Sequence, residues 1–195
     1  SHLREKQDLN RSWDRGLHAR LLRRLTQAGA RKVVFDILFE SAGLDPAADE
    51  AFRAAIQENG HTLLGADVGQ SSEARSGLPR IEMQRIPPPW SRLSEVAAGW
   101  GLATLAPDED YVVRRLTTGM SPKLAESDLP SAPRLLSLSA LASAPTNPAA
   151  LLQEDRWIRY YGPPLHLPHV GYSQALRSDE TPDNVFSNRI VFIGA

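Results

Sequence analysis

The run Lys-Val-Val-Phe-Asp-Ile-Leu-Phe-Glu at positions 32–40, entered shortly after Gly29, narrows most sharply what this chain can become. Its β-branched and aromatic side chains are apolar on both faces, as in a central strand of a sheet covered on both sides, and such sheets are usually parallel. Lys32 and Glu40 close the run, so Asp36 is the one charge inside it. A carboxylate in apolar surroundings is costly unless paired. Either the strand ends at Asp36 or Asp36 has a designated partner.

Upstream, Trp13, Leu17, Leu21, Leu22, Leu25 and Ala28 fall near one helical stripe, while Arg15, Arg20, Arg23 and Arg24 point largely elsewhere. The spacing predicts an amphipathic helix over 12–28, with Ser12 as its N-cap and Gly29 as its stop. Downstream, Leu44-Asp45-Pro46 closes a loop, Phe52, Ala55 and Ile56 mark a helix over 49–58, and 61–68 resumes as a strand. A helix between two such strands is a crossover, which makes the strands parallel. The pattern fails over 69–89, read as a surface excursion in which 78–86 can hold a polar edge strand. A short helix over 90–98 precedes strands at 99–105 and 111–119, joined by the acidic turn 106–110 in a manner that suits an antiparallel hairpin. A covering helix at 134–144, a strand at 156–161, a short helix capped by Ser173 and a buried strand at 189–193 complete the order.

The fold class is therefore α/β: a mixed, mostly parallel central sheet flanked by helices, with an antiparallel hairpin. One domain is expected over 12–195, behind a lead-in segment 1–11. Ser1-His2 resembles the remnant of a cleaved tag, and the chain stops at a strand ending Gly194-Ala195, so the sequence reads as an excised fragment. With 195 residues, 42% of them hydrophobic, it can bury a sizeable core. Cysteine is absent, which excludes disulfides, thiolate metal sites and a cysteine nucleophile. No run approaches the ~20 apolar residues of a membrane span. Residues 1–32 hold nine Lys or Arg against three acids and the remainder thirteen against twenty, so the two parts attract one another. A solvated basic face pairing with an acidic body explains this better than a lipid-headgroup or nucleic-acid patch.

Asp36 and Glu40 fall at the C-terminal end of a parallel strand, the edge where open α/β sheets place ligands. With Asp45 and Asp49 they offer four carboxylates to a hard cation such as Mg²⁺ or Ca²⁺. The plainer reading has Asp49 capping a helix, Asp45 serving the turn and Asp36 paired with an arginine. Asp108, Glu109 and Asp110, with Arg114 and Arg115, form either a second acidic cup or an arginine clamp for an anion. On a strand these two arginines face opposite ways, so one at most reaches inward, to pair with Asp36 or Asp110. His166 and His169 have a spacing a metal can use but lack an assured third ligand. Ser173 misses the nucleophile-elbow pattern because Ala175 stands where glycine is required. Trp90, Trp100, Trp157, Tyr160 and Tyr161 are aromatic candidates for a pocket or an interface. No cofactor motif is present.

Taken in order, "GARKVVFDILFE" after an amphipathic helix, "DEAFRAAIQENG", the turn "DEDYVVRR", "IRYYGPP" and the closing "NRIVFIGA" resemble the type-two CHASE domain. The likeness spans roughly residues 15–195 and rests on the order and spacing of these pieces. The resemblance implies an extracytoplasmic sensor of a bacterial membrane receptor, with a histidine kinase, nucleotide cyclase or Ser/Thr kinase as its intracellular output. It implies no catalytic site in the domain itself. The leading hypothesis adds a receptor homodimer, with the basic first helix at the dimer contact or nearest the membrane and Trp13, Leu17 and Leu21 as the candidate contacts. Candidate contacts to a small-molecule or protein signal are Asp36, Glu40, Asp108, Asp110, Arg114, Arg115 and Tyr161. Tyr111 replaces the glycine of the family's usual Asp-x-Asp-Gly turn. A soluble metal-dependent hydrolase built on Asp36 and Asp49, or an interaction module without a small ligand, are the competing classes.

Overall fold

The computed structural model describes residues 13–67, 69–73, 81–103, 108–116, 138–143, 156–160, 162–163 and 166–194. Helix α1, Arg15–Gln27, starts from Asp14, whose carboxylate accepts the Gly16 N–H at 2.8 Å, so Asp14 and not Ser12 is the N-cap. Strand β1, Lys32–Leu38, follows the stop at Gly29. It leads through a loop to α2, Pro46–Asn59, and then to β2, Thr62–Ala66. Asp45 is the N-cap of α2, taking the Ala47 N–H at 2.9 Å, with Pro46 opening the first turn where a missing N–H costs nothing. That turn extends the helix three residues before its expected start and frees Asp49 from capping.

The excursion contains an antiparallel ribbon of β3, Gly69–Glu73, and β4, Ile81–Arg85, which locates the polar strand anticipated within 78–86. Helix α3, Ser91–Ser94, leads to β5, Gly99–Leu102. The main sheet has the order β5-β2-β1-β8, where β8 is Ile190–Ile193, and every pairing in it is parallel. Among the described residues β5 does not form a hairpin with the segment after the acidic turn. Instead β6, Arg115–Leu116, pairs antiparallel with β7, Arg156–Trp157. Sequence proximity suggested the hairpin, but Gly99–Leu102 continues the parallel sheet, where its backbone groups find partners in β2.

Two layers cover the sheet. On one face Val33 and Phe35 of β1 meet Leu21, Leu22 and Leu25 of α1 and Phe52, Ala55 and Ile56 of α2. On the other, Val34 and Leu63 meet Leu138 and Ala142 of α4, Leu138–Ser143. Lys32 donates to the carbonyls of Leu141 and Ala142, both at 3.2 Å, placing a cation at the C-terminal end of α4. Asn59 of α2 ties α1 to β2, donating to Thr26 at 2.8 Å and accepting from the buried Thr62 hydroxyl at 2.7 Å. The last helix, α5, is Tyr172–Ala175, with Gly171 before it. Ser173 therefore sits inside α5 instead of capping it; the Gln174 side chain accepts the Gly171 N–H at 3.1 Å.

Candidate functional site

The first residue of α1 was expected to point outward, but Arg15 is only 6% exposed. It donates to Asp49 Oδ1 at 2.7 Å and to the Ser41 carbonyl, and its guanidinium lies 5.4 Å from the ring centroids of both Phe39 and Trp90. Asp49 also accepts the Gly43 N–H, at 2.9 Å to Oδ2. A Cβ on Gly43 would stand 2.6 Å from Asp49 Oδ1, so a glycine is needed for the loop to close over this carboxylate. The result is a buried latch. It fastens the start of α1 to the loop after β1 and to the first turn of α2.

Beside the latch lies a cleft of about 210 Å³ lined by Trp13, Asp14, Arg15, Gly43, Leu44, Asp45, Ala48 and Asp49. It opens beyond the C-terminal end of β1, on the ligand side of an open α/β sheet. Asp45 and Asp49 both line this cleft. Asp36 and Glu40 do not line it, and both are exposed. The register of β1 against β2 shifts between Phe35 and Leu38, at a point where a Cβ on Gly65 would come 3.0 Å from the Phe35 carbonyl. At this irregularity Asp36 is exposed, beside Gly194, within a strand that runs on to Leu38. Water solvates the carboxylate, and Asp36 has no ion pair among the described residues. The expected arginine partner is absent there, and the described residues contain no group of three or more His, Asp or Glu placed to hold a metal.

Asp108, Asp110 and Arg114 do come together. Arg114 grips Asp110 with two bonds of 2.7 Å and reaches Asp108 at 3.1 Å. These bonds hold the Asp110 carboxyl down at about 2 and raise the Arg114 guanidinium further. The fork that an anion would need is already filled by the turn's own carboxylates. Arg115 lies in β6 opposite Trp157, and Tyr161 lies outside the described residues. Tyr111 adopts φ 63°, the left-handed conformation that favours glycine, with its side chain 88% exposed. Tyr111→Gly should therefore raise unfolding free energy by about 1 kcal/mol, since a non-glycine residue costs about 1–2 kcal/mol there and glycine's unfolded-state entropy offsets part. Urea denaturation checks this; a destabilised variant would mean the tyrosine ring contributes more than its strained backbone costs.

Of the proposed dimer contacts, Leu21 packs inside this chain at 2% exposure, Leu17 is half-buried and Trp13 is 40% exposed. The basic face of α1 is largely spoken for: Arg23 meets Glu58 at 3.1 Å and Arg24 meets Asp183 at 3.3 Å. Arg24 also donates to the Ala175 and Thr181 carbonyls over the Phe186 ring, strapping down the chain after α5. Another buried polar group, His18, stands in the aromatic core with Nδ1 2.8 Å from the Tyr172 hydroxyl. Burial, with Arg15 nearby, lowers its pKa from 6.5 to about 4. Burial likewise pushes the Tyr172 hydroxyl up, so both groups are neutral at pH 7. Neither Arg15 nor His18 was singled out from sequence. Their separation from Leu22, by seven and four residues, places all three on one helical face.

A parallel sheet covered on both faces, with a latched cleft at its C-terminal edge, defines an α/β ligand-side architecture. The chain belongs to the CHASE2 domain family, whose model matches residues 3–195. This is a family of extracellular sensory domains of membrane receptors and is not itself a catalytic family. No curated protein and no solved structure matches the chain. No helix among the described residues is long and apolar enough to cross a membrane.

Proposed function

We propose that this domain is the periplasmic sensory part of a bacterial inner-membrane receptor with a histidine kinase, nucleotide cyclase or Ser/Thr kinase output. The family match across residues 3–195 carries the reading. The receptor acts as a homodimer in which membrane helices flanking the domain transmit a change of arrangement, and a bias of a few kcal/mol between two arrangements is enough to alter output. Support for a signal-bearing role of the cleft comes from the Arg15–Asp49 latch, which ties α1 to the loop at the ligand edge of the sheet. A molecule seated against Trp13, Leu44 and Asp45, or a partner protein covering them, would press directly on that latch.

Placement outside the cytoplasm is testable because this chain contains no cysteine and Leu44 is 85% exposed. In the full-length receptor with its other cysteines replaced, Leu44→Cys should react with a membrane-impermeant maleimide on intact spheroplasts. Labelling only after lysis would overturn the proposal.

A further inference from the structure

We propose that His18 is an acid-sensitive pin: neutral, it holds the first turns of α1 on the sheet, and protonated, it releases them. The pin is regulatory: His18 does not line the cleft, and Trp13, which does, roofs it; its use as a signal rests on the domain being an extracytoplasmic sensor. His18 is fully buried, edge-on to Phe35 and Phe39 at 5.5 and 5.6 Å and tilted against Phe52 at 5.6 Å. Trp13 stacks over it at 6.2 Å and touches Tyr172 at 4.9 Å, so the imidazole bridges α1 to α5 beneath an indole roof.

Hydrogen bonding fits the neutral ring and not the cation. The Tyr172 hydroxyl serves Nδ1 in either tautomer, whereas Nε2 has no partner among the described residues. An imidazolium must donate from both nitrogens. Its second N–H would face phenyl rings, and its charge would sit near the Arg15 guanidinium three residues earlier. Asp14 is the one nearby charge that favours protonation, and it lies at the exposed N-cap. Asp49 of α2 is already bound to Arg15, Tyr172 of α5 stays a neutral hydroxyl, and β1 with the segment after it presents only Phe35 and Phe39.

When the first turns of α1 lift and His18 meets water, the ring regains its ordinary affinity for protons. The folded value is the depressed one, so closure is fully favoured above pH 6.5 and weakens as pH falls from there toward 4. Between pH 7 and pH 5 the opening constant rises about 20-fold. Arg15 lies on the same turn, so opening also draws it from Asp49.

The test follows α1 and β1 amide hydrogen exchange in this chain, corrected for intrinsic rates, at pH 7 and pH 5, with an NMR titration of the His18 ring. Protection in α1 should lie well below that of β1 and fall about 20-fold, β1 falling by the same factor because global unfolding also frees His18, and the ring should titrate near 4. A ring titrating near 6.5, or α1 exchanging only at the protection level of β1, through global unfolding, overturns the pin. His18→Phe combined with Tyr172→Phe replaces both hydrogen-bonding partners by apolar rings, a change that tends to be neutral for folding. This variant should keep β1 protection and lose the pH response of α1; an unchanged response overturns the proposal. In the full-length receptor, output should follow external pH in the parent and not in the double variant. A pin that works in the chain with output indifferent to pH would overturn the sensory reading alone.

Discussion

Asp49→Ala is expected to destabilise the domain by about 3–5 kcal/mol, the usual cost of removing one partner from a buried ion pair. Arg15 and Asp49 are each about 6% exposed at the side chain, so the guanidinium left behind could not be rehydrated without opening the start of α1. Its remaining contacts, the Ser41 carbonyl and the Phe39 and Trp90 rings, do not supply a countercharge. The pair itself is not expected to be a large net source of stability, because two desolvation penalties oppose its Coulomb attraction. Arg15→Met with Asp49→Leu should therefore fold within about 1 kcal/mol of the parent, while Asp49→Ala alone should not. Urea unfolding monitored by tryptophan fluorescence measures both. A loss below about 1 kcal/mol in the single variant would show a pair behaving as a solvated surface bridge and would remove the reason to place signal transmission at this latch.

Much of the frame was legible because hydrophobic period and punctuation coincide in it. Val33, Val34 and Phe35 are all fully buried, as a two-faced apolar run demands, and the crossover through Phe52, Ala55 and Ile56 leads to a parallel partner strand. The hairpin after Gly99 misled because strand pairing is a tertiary choice: two short apolar runs and an acidic turn do not determine which edge each run joins. Asp36 misled for a related reason, since a register shift can expose a charge within a strand that the sequence pattern treats as regular. At the site, Asp45 and Asp49 were recognisable as carboxylates near a sheet edge, but their roles depend on Pro46 starting the helix and on Gly43 folding over it. Arg15 was hidden among nine basic residues in the first 32, where nothing in composition separates the buried cation from solvated ones. At the turn Asp108–Arg114 the sequence left open whether Arg114 or Arg115 pairs with Asp36 or Asp110; it is Arg114 that meets Asp110, and Asp108 completes the cluster.

Phe52→Ala should cost about 3–5 kcal/mol, comparable with the loss of Asp49 but through packing instead of charge. Phe52 is fully buried and its ring lies 5.2 Å from both Phe35 and Phe39 and 5.6 Å from His18. Removing it forfeits transfer free energy and leaves a hole between α2 and the sheet, whose rigid aromatic walls can collapse only in part. What fills that hole decides a second observable. A stable internal water needs about two to four polar partners. The rings against Phe52 are His18, Phe35 and Phe39, set in an apolar cluster where Nε2 of His18 is the polar atom without a partner among the described residues, so the hole should stay dry and the imidazole should remain near 4. The variant's stability should then decline between pH 7 and pH 5 in parallel with the parent, displaced downward by the packing loss. A His18 pKa moving toward 6.5, with a packing loss near the low end of the range, would mean instead that water enters and solvates the ring. In that outcome the dryness of the cage depends on Phe52, and packing by α2 sets the pH at which the start of α1 lets go.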